Sequence, residues 1–216
     1  MYYGPTILIE SGVTINGMSP EKAAILLNIP LATANAFGTF LSCLLIDKFG
    51  RRYLMLRSLP PICLTLLITA AGMLVEAMYP KSFIGTDVAF AGLVMFVISF
   101  GIGFSSTPWC VNAEIYPLHV IGTAASLATF TNWMVNFVVA TAFPLALKTE
   151  IGSYLSFVFL AVMAALAWVF VYFLLPETAN KEITQILKEM LGSSYKPNAS
   201  LVGVNFSFKK SEEKEV

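Results

Sequence analysis

The segment Thr131–Phe137, TNWMVNF, sets two carboxamides and an indole within five positions, Asn132, Trp133 and Asn136. It lies in a run from Ile115 to Leu147 that contains no Asp, Glu, Lys or Arg. A carboxamide donates and accepts hydrogen bonds, and an indole offers a flat apolar face with one N–H at its edge. Such groups suit a polyol, with the amides bonding hydroxyls and the ring stacking on C–H faces. On a helix, Ser126, Thr129, Trp133 and Asn136 share one stripe, with Asn132 beside it. A helix from about Ile121 puts Trp133 about 18 Å along the axis, too deep for the interfacial belt that tryptophan favours.

Two other places carry polar groups in apolar surroundings. Asn35 lies 12 residues into the charge-free run Ala23–Ile46, again about 18 Å along a helix. The stretch SFGIGFSSTPW, Ser99–Trp109, holds two glycines, three serines, a threonine and a proline, and predicts a weakened or broken helix. Broken helices near a membrane midplane expose backbone groups and often build transport sites. Gly101 and Gly103 taken alone read better as close helix packing, and Trp109 near the end of its run also fits an interfacial position. As a set, these residues favour a ligand site.

Signals for covalent chemistry are weak. His119 is the single histidine and sits in a predicted loop, where a solvated or capping role suffices. No Gly-x-Ser-x-Gly, His-Glu-x-x-His or phosphate-cradling glycine loop occurs. Cys43, Cys63 and Cys110 lie in apolar runs at spacings that suit neither a disulfide framework nor zinc, and read as buried bystanders. The expectation is a protein that is not an enzyme and uses no cofactor or metal.

The elements that must position these side chains follow from composition. Of 216 residues, 57% are hydrophobic and 12% charged, against roughly 25% charged in a soluble domain; mean hydropathy is +0.76. So little charge cannot cover a folded globule in water, and lipid becomes the solvent. The formal net charge of zero gives no case for nucleic acid. Charge-free runs at Ala23–Ile46, Ser58–Val75, Val88–Ala113, Ile115–Leu147 and Ile151–Pro176 approach or exceed the roughly 20 residues a spanning helix needs. The expected all-α bundle fills residues 1–176, with spans near 23–46, 55–78, 88–113, 121–147 and 152–175. Residues 1–9 are apolar but rise only about 14 Å as a helix, and read as the end of a further span.

Lys and Arg placement sets an orientation. Lys48, Arg51, Arg52, Arg57 and the six lysines after Pro176 fall on one side, and Lys22, Lys81 and Lys148 on the other. The first side is expected to be cytoplasmic, in the plasma membrane or an internal one. Over 177–192, Ile183, Ile186, Leu187, Met190 and Leu191 recur at helical spacing among Lys and Glu, predicting an amphipathic helix on that face. Residues 193–216 read as a disordered cytoplasmic tail, in which the acceptor patterns at Asn198 and Asn205 are chance matches.

Four motifs in order make the chain resemble the sugar porter family of the major facilitator superfamily. They are MYYGPTIL (Met1–Leu8), IDKFGRR (Ile46–Arg52), TPWCVNAEIYP (Thr107–Pro117) and LPET (Leu175–Thr178). LATANAFG (Leu31–Gly38) and PWCVNAEIYPL (Pro108–Leu118) look most like the proton myo-inositol cotransporters. The resemblance implies the C-terminal half of that fold, a truncated span seven plus five complete spans, carrying a sugar or polyol by alternating access. Its partners would be the small-molecule sugar or polyol, the lipid bilayer, an N-terminal six-helix half in the same or another chain, and protons if coupled. It also implies substrate-cavity roles for Asn35, Trp109, Asn132 and Trp133, an extracellular gate at Tyr2 and Tyr3, and a cytoplasmic charge network of Asp47, Arg51, Arg52, Glu114 and Glu177. Three departures stand out: a family arginine is missing around Ile121, LPET continues as Ala179-Asn180, and Ser105-Ser106 replaces a proline-rich stretch. The rival expectation is a non-transporting, truncated or mispredicted membrane fragment.

Overall fold

A computed structural model describes residues 19–79, 83–117 and 119–191. The pair Tyr2 and Tyr3, the partial span over 1–9 and the tail over 193–216 with Asn198 and Asn205 lie outside the described residues. Regular structure among the described residues is all helical: α1 (Pro20–Phe49), α2 (Arg51–Met78), α3 (Phe83–Gly103), α4 (Thr107–Glu114), α5 (Ile121–Leu147), α6 (Glu150–Leu174) and α7 (Ile183–Leu191). Five stretches are long and apolar enough to cross a membrane, one of them, Ile84–Glu114, taking in both α3 and α4.

Several helices outrun the charge-free runs that point to them. α1 ends at Phe49, past Asp47 and Lys48, and α2 starts at Arg51. Charge-free runs mark contact with hydrocarbon, whereas a helix needs only its i→i−4 bonds and can continue beyond it. The amphipathic segment expected over 177–192 is helical only over Ile183–Leu191, and the preceding chain turns through Asn180 at φ +56°.

α2 forms the centre, packed between α3 and α6, with α1 on the far side of α3. Leu31, Ile62, Leu66, Leu93, Val97, Phe157 and Ala161 meet in one buried cluster from four helices. Lipid is as apolar as these side chains, so close packing and hydrogen bonds must hold the helices together. The contacts are accordingly tight. A Cβ on Gly38 of α1 would lie 2.9 Å from the Ile98 carbonyl oxygen and 3.0 Å from Gly101 Cα on α3. α5 differs from the rest: 6% of its most apolar stretch is buried, against 44% for α2. It joins the bundle chiefly through α6, where Phe143 meets Phe157 edge-on at 5.7 Å between centroids.

The joint between α1 and α2 is a single residue, Gly50, at φ +87° and ψ 162°. Glycine has no side chain to cap the four free N–H groups of the new helix. Glu177 supplies the cap from beyond α6: Oε1 accepts from the Arg51 N–H at 2.9 Å and Oε2 from the Arg52 N–H at 3.1 Å. The same carboxylate accepts from the N–H groups of Thr178 and Ala179, each at 3.0 Å. A Cβ on Gly50 would sit 2.7 Å from Glu177 Oε2, so the position needs glycine for both its torsion and its emptiness. Gly50→Ala should therefore cost about 1–2 kcal/mol for the left-handed torsion alone, and more by displacing the cap. A thermal melt in detergent should show a clear fall; a melt equal to the parent's would contradict this account of the joint.

Candidate functional site

The third span is interrupted after Gly103 and resumes at Thr107. Pro108 stands in the first turn of α4, where its missing N–H leaves no bond unmade within the helix. Ser106 starts that turn, its carbonyl accepting from the Trp109 N–H at 3.1 Å. Two side-chain pairs tie the break to α1. Ser105 Oγ lies 3.0 Å from Thr39 Oγ1, and Ser106 Oγ lies 2.9 Å from Ser42 Oγ. Thr39 donates its one hydroxyl proton to the Asn35 carbonyl at 2.9 Å, so Ser105 is the donor in the first pair. Asn35, Thr39 and Ser42, at i, i+4 and i+7, thus form the polar stripe of α1 that faces the break.

Beside the break is a cavity of about 780 Å³, within the roughly 300–1,000 Å³ usual for small-molecule sites. Asn35 of α1, Ser105, Trp109 and Asn112 of the break and α4, and Asn132, Trp133 and Asn136 of α5 supply its polar and aromatic lining. Phe96, Phe100 and Phe104 form its apolar back, stepping along α3 with centroids 5.9 and 6.2 Å apart. The cavity is a half-shell, since Trp109 and Trp133 remain 47% and 59% exposed. Asn136 Nδ2 donates to the Asn132 carbonyl at 2.9 Å. Ser126 and Thr129 share the same stripe but bond carbonyls of their own helix, and neither lines the cavity. A second cavity of about 330 Å³ between α5 and α6 is almost wholly apolar, and its Ser156 hydroxyl bonds the Gly152 carbonyl at 2.6 Å. It offers a polyol nothing.

The charged residues gather at the end of the bundle where α1 meets α2. Arg51 lies 3.0 Å from Glu114 and 3.4 Å from Asp47. The Arg51 side chain is 16% exposed and that of Glu114 31%, whereas Asp47 is 79% exposed. Arg52 does not join these pairs. Its guanidinium donates to the Tyr172 carbonyl at 2.6 Å, one of the last carbonyls of α6 that lack a helical partner. Glu177 likewise serves as the backbone cap of α2.

The family model described as "Sugar (and other) transporter" matches residues 1–190. The chain belongs to that family. It is 35% identical over 188 residues to Membrane transporter D1 of Leishmania donovani, covering 86% of this chain and 33% of that protein. It is 30% identical over 192 residues to the facilitated trehalose transporter Tret1 of Apis mellifera ligustica, covering 89% of this chain and 36% of that protein. The chain thus spans about a third of the length of these relatives. Among solved structures, the inward-open xylose transporter XylE from E. coli superposes with a TM-score of 0.65 at 23% identity, over 88% of this chain and 41% of that one. This match shows the fold. The relatives named here are transporters, and the family is one of membrane-embedded carriers rather than enzymes.

Within this sugar transporter family member, the residues singled out in the sequence fall into two places. Asn35, Trp109, Asn132, Trp133 and Asn136 border one cavity, while Asp47, Arg51, Arg52, Glu114 and Glu177 meet at the α1–α2 joint. The cysteines correct the sequence reading: none is buried, Cys43 being exposed and Cys63 and Cys110 intermediate. A thiol is apolar enough to face lipid, so an apolar run does not imply burial. Sequence reasoning missed Thr39 and Ser42, whose spacing from Asn35 was a usable signal, and Asn112, one turn beyond Trp109. The charge geometry predicts unequal effects. Asp47→Asn should change stability by less than about 0.5 kcal/mol, as exposed pairs do, whereas Glu114→Gln should cost about 1–2 kcal/mol by stripping the shielded arginine of its partner. Melts of the two variants in one detergent would decide, and equal effects would refute the ranking.

Proposed function

We propose that the chain is the C-terminal half of a membrane carrier for a sugar or polyol, myo-inositol favoured and a hexose next, acting by alternating access. The observation that carries the reading is the cavity of about 780 Å³, where four asparagines and two tryptophans meet inside a bundle of membrane-spanning helices. Amides bond hydroxyls and indoles stack on C–H faces, so binding and release need no covalent step. The half-shell form and the bare surface of α5 support a second six-helix unit closing the cavity from the other side, as rocking carriers require. Among the described residues no carboxylate lines the cavity, and proton coupling is assigned to none of them.

In this reading the joint that holds Arg51, Arg52, Asp47, Glu114 and Glu177 faces the cytoplasm, together with α7 and the tail, and Tyr2 and Tyr3 gate the opposite side. The Arg51–Glu114 pair belongs to a network that favours one conformation of the carrier and loosens in the other. Uptake of labelled myo-inositol and glucose into transporter-deficient cells tests the proposal, with the chain expressed alone and joined to a related N-terminal half. Uptake only by the joined protein is the expected result; none from either, with correct insertion confirmed, would favour a non-transporting fragment. In the joined protein Trp133→Ala and Asn132→Ala should each raise KM about tenfold or more at near-normal surface expression, and an unchanged KM would take them out of the site.

A further inference from the structure

The polar side chains around the α3–α4 break divide into partnered and unpartnered groups. Ser105 and Ser106 pair with Thr39 and Ser42, and Glu114 pairs with Arg51. Asn112 does neither. Half-buried on α4, its amide lines the cavity and makes no hydrogen bond to any described residue. An amide left unpartnered by its own chain at an open cavity keeps two donors and an acceptor for water or a ligand.

Its placement is specific. Pro108 and Asn112 lie one turn apart on one face of α4, with Trp109 beside them, and Asn112 sits about 4.5 Å beyond Trp109 along the helix. Val111 points elsewhere, into a buried cluster with Met55 and Leu59. Without Asn112, the α4 part of the cavity would present only the proline ring and the indole. With it, amides approach from three helices, α1, α4 and α5.

Resting on the carrier reading above, we infer that Asn112 is a specificity-determining residue that recognises a ring hydroxyl at the α4 wall. It thereby favours a cyclitol over a pyranose. A cyclitol bears a hydroxyl on every ring carbon, each able to donate and accept as an amide does. A pyranose replaces one ring position with an ether oxygen that only accepts, and adds an exocyclic hydroxymethyl group. A wall of proline and indole discriminates weakly between the two, whereas a wall carrying an amide disfavours the pyranose edge bearing the ether oxygen, which offers the amide oxygen no donor.

Equilibrium binding of labelled myo-inositol and of labelled glucose, in lipid nanodiscs, to the full chain joined to the N-terminal half used for uptake tests this. Asn112→Leu keeps the size of the side chain and removes its donors and acceptor. It should weaken myo-inositol about 10- to 100-fold and glucose less than threefold. Asn132→Ala should weaken both ligands together. Asn112→Ala carries the same expectation as Asn112→Leu if the leucine variant fails to insert. An unchanged preference ratio in the Asn112 variants, whether affinities fall together or not at all, overturns the inference while leaving the carrier reading intact. Binding of neither ligand by the parent protein overturns both.

Discussion

Inside hydrocarbon a polar group has no water to turn to, and its bonds must be found within the chain. That constraint sorts the polar side chains of this bundle. The hydroxyls of Thr65, Thr69, Ser99, Ser126, Thr131, Thr141 and Ser156 bond carbonyls on the preceding turn of their own helices. A hydroxyl is short and has one proton, so its own helix can satisfy it. A carboxamide has two donors and an acceptor, and one helix cannot serve them all. Asn136 reaches the Asn132 carbonyl with one N–H and still has groups to spare. Asn35, Asn112, Asn132 and Asn136 border the same cavity.

A related demand shapes the end of the bundle where the charges lie. The first N–H groups of α2 and the last carbonyls of α6 each lack a helical partner, and each helix end is served by a side chain from the other's neighbourhood. The Glu177 carboxylate takes the N–H groups of Arg51 and Arg52, and the Arg52 guanidinium takes the carbonyl of Tyr172. α2 and α6, already packed together, are thereby pinned in register at one end. A negative charge at a helix N-terminus is favoured by about 0.3–1 kcal/mol at exposed sites, and more when shielded. An acidic residue is therefore preferred where a neutral hydrogen-bond acceptor would also fit.

The helices were legible because the absence of charge over 20 residues or more is a strong statement about solvent. The interruption at Phe104–Ser106 was legible for the same kind of reason, glycines and a proline being poor helix formers in a fixed place. The family resemblance had singled out Asp47, Arg51, Arg52, Glu114 and Glu177, and the fold brings them to one end of the bundle. What each member does could not. Glu177 and Arg51 are complementary charges 126 positions apart, and nothing in a sequence says that the carboxylate bonds the arginine's backbone rather than its guanidinium. Ser105 and Ser106 looked like a loss of prolines; their hydroxyl pairs with Thr39 and Ser42 depend on the register of α1 against α3, set by the close approach of Gly38 and Gly101. Asn112 was overlooked because a lone amide near a helix end is ordinary until a cavity is seen beside it.

The shortness of α4 gives these features a joint consequence. Trp109 and Asn112 face the cavity, Val111 enters the core, and Glu114 holds Arg51, all within eight residues. From Trp109 to Glu114 the helix rises only about 7.5 Å, too short a piece to bend. Hydroxyl pairs to α1 hold one end of it and an ion pair to the start of α2 holds the other. Neither Trp109 nor Asn112 can shift without loading one of those two attachments. The hydroxyl pairs are neutral and part-buried, while the ion pair is shielded on its arginine side and still reachable by water. Cavity lining and charged joint are therefore joined by one short helix held at both ends.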